Sequence, residues 1–181
     1  MAGKAGTAAA ATAESTCVKC VAGNYSESGG SQTCSECGTG TYSSRAGAIA
    51  CDACEAGKWQ GSKGRNDCTK CLKGTYLAAN RSDTKNACQE CPSGKFGSND
   101  GASICFDCLA GKASVSSVRC DNCESGKYTS SVASSGCNNC SAGFFSGIEA
   151  THCTSCPVNS QSTSMASVCT CNAGDVTYST V

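Results

Sequence analysis

The chain has 181 residues, 20 of them Cys, and its Leu and Ile are confined to Leu72, Leu77, Leu109, Ile49, Ile104 and Ile148. That is too little aliphatic material for the single core a soluble domain of this length buries, and it is the composition of a disulfide or metal scaffold. Lys plus Arg (14) balances Asp plus Glu (14), so no net field recruits nucleic acid or an acidic membrane surface, and no apolar run approaches the roughly 20 residues that cross a bilayer.

Residues 1–16, "MAGKAGTAAAATAEST", read as a flexible Ala/Thr-rich segment. With no Leu, Val, Ile or Phe it is too weakly hydrophobic for a signal peptide, and the expectation is an internal or mature fragment of a longer precursor.

From Cys17 the cysteines fall into ten pairs. Nine are CxxC, namely Cys17/Cys20, Cys34/Cys37, Cys51/Cys54, Cys68/Cys71, Cys88/Cys91, Cys105/Cys108, Cys120/Cys123, Cys137/Cys140 and Cys153/Cys156, and the tenth is the CxC pair Cys169/Cys171. Successive pairs start 15 to 20 residues apart, most often 17, which marks a quasi-one-dimensional array. Three residues after each second Cys comes Gly23, Gly40, Gly57, Gly74, Gly94, Gly111, Gly126, Gly143 or Gly174, with Asn159 as the exception. Asn is a non-Gly residue that visits positive φ readily, so the pattern reads as a left-handed turn in every repeat. Two residues further stand Tyr25, Tyr42, Trp59, Tyr76, Phe96, Tyr128 and Phe145, with Ala113 breaking the series. A short strand leaving the turn would lay each ring over a cystine, a packing unit rather than a ligand-stacking stripe. The intervening stretches "SESGGSQT", "GSNDGAS" and "SSVASSG" are turn-rich and lack helical periodicity.

Three chemistries compete for the thiols. C-x2-C pairs about 15 residues apart also suit zinc ribbons. Pairwise zinc sites would make odd and even segments differ, however, and here both carry the same Gly and aromatic. Redox catalysis needs a helix N-terminus in an α/β setting, which nothing supplies. Disulfides fit best, each closing a loop of about 15 residues for about 3 kcal/mol. Equivalence of the repeats suggests translational linkage: Cys20–Cys34, Cys37–Cys51, Cys54–Cys68, Cys71–Cys88, Cys91–Cys105, Cys108–Cys120, Cys123–Cys137, Cys140–Cys153 and Cys156–Cys169. This leaves Cys17 and Cys171 single. An interlocked pattern, Cys17–Cys34 with Cys20–Cys37, stays open at this level, because sequence does not settle connectivity.

The segment from Cys153, "CTSCPVNSQSTSMASVCTCNAGDVTYST", resembles the EGF-like Cys-rich module of ephrin receptors. The preceding "CxxCxxGxY" repeats resemble ephrin-receptor-like repeats, strung in tandem through extracellular proteins of animals, algae and protists. The likeness covers about residues 17 to 178 and implies an extracellular, elongated, disulfide-bonded rod poor in β-structure. It implies neither catalytic residues nor one ligand. Protist surface antigens and flagellar-hair proteins use comparable arrays. An EGF-like module would carry another Cys soon after Tyr178, so truncation at Val181 is expected.

Other chemistry is sparse. His152 stands alone beside Cys153, and no Ser-His-Asp set can be assembled around it. "SNDGAS" reads as a turn rather than a calcium loop. The basic residues Lys58, Lys63, Arg65, Lys70 and Lys73 around Trp59 read as a solvated face. Asn24, Asn80 and Asn139 begin N-glycosylation sequons, the first two expected in loops and the third inside a Cys pair.

The reading is a small disulfide-rich fold: an elongated tandem-repeat rod of short β-hairpins and loops, essentially without helix. Its divisions are 1–16, the repeats 17–152, and an EGF-like terminal repeat 153–181. The expected role is that of an extracellular or cell-surface structural protein, a spacer, coat component or filament protomer. It is expected to be no enzyme, to use no cofactor and no metal, and to have self-association or other extracellular proteins as partners, with N-glycans. The alternatives are a ligand-binding ectodomain, with Ala113 to Val118 as the non-repeating patch, and a zinc-binding scaffold.

Overall fold

The computed structural model describes residues 2–6 and 17–172. Its unit is a ring closed by one disulfide. Nine rings follow in order: Cys20–Cys34, Cys37–Cys51, Cys54–Cys68, Cys71–Cys88, Cys91–Cys105, Cys108–Cys120, Cys123–Cys137, Cys140–Cys153 and Cys156–Cys169, numbered 1 to 9 below. These are the pairs of the translational pattern. Cys17 and Cys171 are unbridged.

Each ring contains one two-stranded antiparallel hairpin, and its register explains the CxxC spacing. In ring 2 the residues after the turn glycine, Thr41–Tyr42, pair with Asp52–Ala53, the two residues between Cys51 and Cys54. Ring 3 repeats this with Lys58–Trp59 against Thr69–Lys70, and ring 5 with Lys95–Phe96 against Phe106–Asp107. The middle of every CxxC is thus a strand. Side chains alternate across a strand, so residues three apart point to opposite faces. One Cys closes its own ring and the other starts the next.

The longest hairpin, Lys112–Ser116 with Arg119–Asn122, lies in ring 6 and carries a register shift between Ser114 and Ser116. Helix is limited, among the described residues, to a single 3-10 turn at Lys85–Ala87. Lys4–Gly6, placed by the sequence in a flexible lead, instead forms a strand paired with Cys17–Lys19. Gly3 behaves as a turn glycine: its N–H donates to Ser26 O at 2.8 Å and its carbonyl accepts from Cys20 N at 3.0 Å. The signal was present, since "AGK" at 2–4 repeats at 56–58 and 110–112.

Among the described residues the buried apolar side chains are Cys20, Cys37, Cys54, Cys71, Cys91, Cys108, Cys123 and Cys140, joined only by Leu77 and Ala113. Aliphatics lie outside instead; Val21, Leu72 and Leu109, each following a buried Cys, are 61 to 66% exposed. The cystines therefore occupy the place of a core, and the aromatics two residues after the turn glycines are half-buried.

The chain divides into two compact units, Met1–Glu90 with Asn99–Ile104, and Cys91–Ser98 with Cys105–Val181. Rings 1 to 4 lie in the first. The second holds rings 6 to 9 and the cystine of ring 5.

Candidate functional site

The feature that recurs with fixed geometry is the junction between consecutive rings. Four backbone hydrogen bonds make it. Between rings 2 and 3, Gly40 N–H donates to Gln60 O (2.7 Å), Ser43 N–H to Arg65 O (3.2 Å), Gly64 N–H to Cys37 O (2.8 Å) and Cys54 N–H to Gly40 O (2.9 Å). Between rings 7 and 8 the same four run from Gly126 to Ser146, Thr129 to Ala150, Glu149 to Cys123 and Cys140 to Gly126. Rings 1–2, 3–4, 6–7 and 8–9 repeat the set. Because backbone groups make the junction, side chains in the loops are free to vary while the polar main chain stays paired.

The turn glycines have two reasons to be glycine. Gly23, Gly40, Gly57, Gly74, Gly94, Gly111, Gly126 and Gly143 all have positive φ, and Asn159 takes the same conformation at φ 64°. In addition, a Cβ at Gly57 would collide with the carbonyl oxygen of Gly101, and one at Gly126 with that of Met165, each two rings further on. Among the described residues nothing lies within 4 Å of a Cβ built at Gly143. Gly174 lies outside the described residues.

Those colliding carbonyls belong to a second left-handed position that sequence reading missed. It is occupied by Gly30, Gly47, Gly64, Arg81, Gly101, Ala133, Glu149 and Met165. From Gly47 onward their N–H groups donate to the carbonyl of a buried Cys in the preceding ring. A glycine seven residues after the turn glycine, in four copies, was the available signal; Arg, Ala, Glu and Met masked it in the others.

The CxC pair is a slip of one residue. Ser160–Gln161 pairs with Thr170–Cys171, and Asn172 N–H donates to Asn159 O at 2.9 Å, the bond a second Cys makes elsewhere. Asn172 has the backbone place of that Cys, and Cys171 is left exposed. A one-residue shift along a strand reverses the face a side chain takes.

The remaining candidates are scattered. Asn24 is in a strand paired with Glu36 rather than in a loop. Asn80 is exposed, its side-chain oxygen accepting from Ala56 N at 2.8 Å. Asn139 is exposed in a strand paired with Lys127. His152 is exposed and contacts Thr151 Oγ1 at 3.2 Å. In "SNDGAS", an Asp100 carboxylate oxygen accepts from Lys73 N at 2.8 Å, fixing the loop to ring 4. Eighteen cysteines are in disulfides, and a bridged sulfur has no thiolate to offer zinc.

Cystine-centred hairpin rings joined in tandem by main-chain bonds define a disulfide-rich repeat protein of extracellular type. Residues 6–50 and 40–88 match the family model described as tyrosine-protein kinase ephrin type A/B receptor-like. Residues 6–88 are thus similar to tandem ephrin-receptor-like Cys-rich repeats, and the same ring geometry continues beyond the matched residues to Cys169. No curated protein matches the sequence. The matched family is of a receptor-like kind and not an enzyme family. Among the described residues no helix is long and apolar enough to cross a membrane.

Proposed function

We propose that this protein is a structural component of the cell exterior, a repeat array serving as spacer, coat component or filament protomer through contacts between copies. The carrying observation is the junction itself, since the same four main-chain bonds join rings 1–2, 2–3, 3–4, 6–7, 7–8 and 8–9 around covalent centres. Such an array resists unfolding and proteolysis without an aliphatic core. Exposed aliphatics at a repeated position, Val21, Leu72 and Leu109, offer apolar area for lateral contacts. Glycans at exposed Asn80 and Asn139 would cover part of the outer surface. Sedimentation velocity and electron microscopy of purified, oxidised protein test the reading: ordered assemblies that grow with concentration support it. A single monodisperse species at all concentrations would overturn it.

A ligand-binding ectodomain is the second reading. It is favoured by two departures from the repeat, the long hairpin of ring 6 and the enlarged ring 4, whose disulfide spans 17 residues where its neighbours on either side span 14.

A further inference from the structure

Three irregularities of the repeat converge on one cavity in the first unit. The aromatic of ring 3 is Trp59, the single Trp of the chain. Ring 4 carries an insertion that folds as the 3-10 turn Lys85–Ala87, capped by Thr84, whose side chain accepts from Asn86 N. Lys70 stands directly across the ring 3 hairpin from Lys58. Between them lies a cavity of about 610 Å3 lined by Trp59, Lys70, Leu72, Lys85, Asn86 and the Cys71–Cys88 cystine. This volume lies within the range of small-molecule sites.

Its electrostatics are one-sided. No carboxylate lines the cavity. Lys58 is tied to Glu55 at 3.0 Å, while neither Lys70 nor Lys85 has an ion-pair partner among the described residues. Like charges directly opposite across a hairpin are destabilising. The equivalent place in ring 5 holds Asp107, which pairs with Lys95 at 2.7 Å. Lys70 thus gives up a cross-strand ion pair that the same scaffold makes elsewhere. A negative ligand would restore what the fold forgoes.

The cavity wall sets the rest of the ligand. An indole, a Leu side chain that is 61% exposed and a cystine make an apolar floor. Asn86 and Thr69, also in the lining, add an amide and a hydroxyl to its polar inventory. We infer that this pocket binds an anionic saccharide, a pyranose laid on Trp59 with its sulfate or carboxylate held by Lys70 and Lys85. The C–H face of the sugar meets the ring face, and the ammonium groups neutralise the acid. The inference is independent of the assembly reading.

Because Trp59 is the only indole, its fluorescence reports this pocket directly. The oxidised full chain is titrated with a sulfated disaccharide, a uronate disaccharide, the uncharged parent disaccharide and inorganic sulfate. Saturable fluorescence change with at least one charged sugar is expected, at least roughly tenfold tighter than with the uncharged parent. Lys70→Gln and Lys85→Gln should each weaken binding by roughly tenfold, with rising salt acting in the same direction. Trp59→Tyr installs the aromatic that four other rings carry, so it folds; calorimetry should show weakened binding there too. The proposal is overturned by silence with both charged sugars, by equal binding of the uncharged parent, or by undiminished affinity in both Lys variants. Inorganic sulfate binding as well as the sulfated sugar would overturn it, as would a nucleoside phosphate binding where both sugars fail.

Discussion

At the scale of single residues, the fold depends on positions where a side chain has no room. Gly126 and Gly143 occupy the same place in successive rings and share a φ of 82°. They differ in surroundings: a Cβ on the first collides with the Met165 carbonyl, and one on the second meets nothing within 4 Å among the described residues. Gly143→Ala therefore carries the left-handed strain alone, about 1 kcal/mol. Gly126→Ala must also displace the backbone two rings on, and should cost about 3 kcal/mol in total. Chemical denaturation of the two variants checks the difference, and equal losses would show that the close approach does not matter. The one departure from glycine at this position, Asn159, lies in ring 9, beyond which no further ring is described.

At the scale of the ring, a single bridge replaces what several aliphatic side chains do in an ordinary domain. Removing the Cys123–Cys137 bridge by a double Ser substitution opens a loop of sequence separation 14 and should cost about 3 kcal/mol, chiefly through a freer unfolded chain. Amide exchange should locate the loss in ring 7 and the rings bonded to it, leaving distant rings protected. Uniform loss across the chain would contradict that local coupling. Ring 7 also carries the Glu124–Lys127 pair at 2.9 Å. The Lys127 hydrogen bond, and then its positive charge, hold the Glu124 carboxyl below its ordinary value of 4.5, against a small opposing effect of burial. A depressed folded value means the contribution is complete above the unfolded value and disappears as pH falls through the folded one. The window therefore lies below pH 4.5, and a thermal-midpoint series into the acid range should show a small loss that Glu124→Gln lacks. The pair is solvent-exposed, so the effect is modest.

At the scale of the whole molecule, inside and outside are inverted relative to an ordinary domain. Among the described residues eight of the ten buried apolar ones are cysteines, while Val158 is 92% exposed and Ile148 69%. Reduction therefore removes the core along with the cross-links. Treatment with a phosphine reductant at neutral pH, without denaturant, should abolish amide protection in every ring, and mass spectrometry should find one hydrogen gained at each of the eighteen bridged sulfurs. Persisting protection in the fully reduced chain would mean that the main-chain ladder suffices by itself.

The repeat, its turn glycines and the absence of an aliphatic core were legible in the sequence because they are local. A CxxC separates two rings by a two-residue strand, and a left-handed turn admits Gly or Asn, so both leave a mark at fixed spacing. What only the tertiary structure decided involves residues far apart in the chain. The second left-handed position is held by hydrogen bonds to a cysteine carbonyl in the preceding ring, and because main-chain bonds of that kind do not depend on the side chain, Arg81, Ala133 and Met165 take the position despite its left-handed backbone. The strand at Lys4–Gly6 depends on Cys17–Lys19 across a gap in sequence. The cavity at Trp59 exists because an insertion in ring 4 is folded against ring 3. Spacing along a chain records what neighbours require, and only three-dimensional closure records what distant segments require of one another.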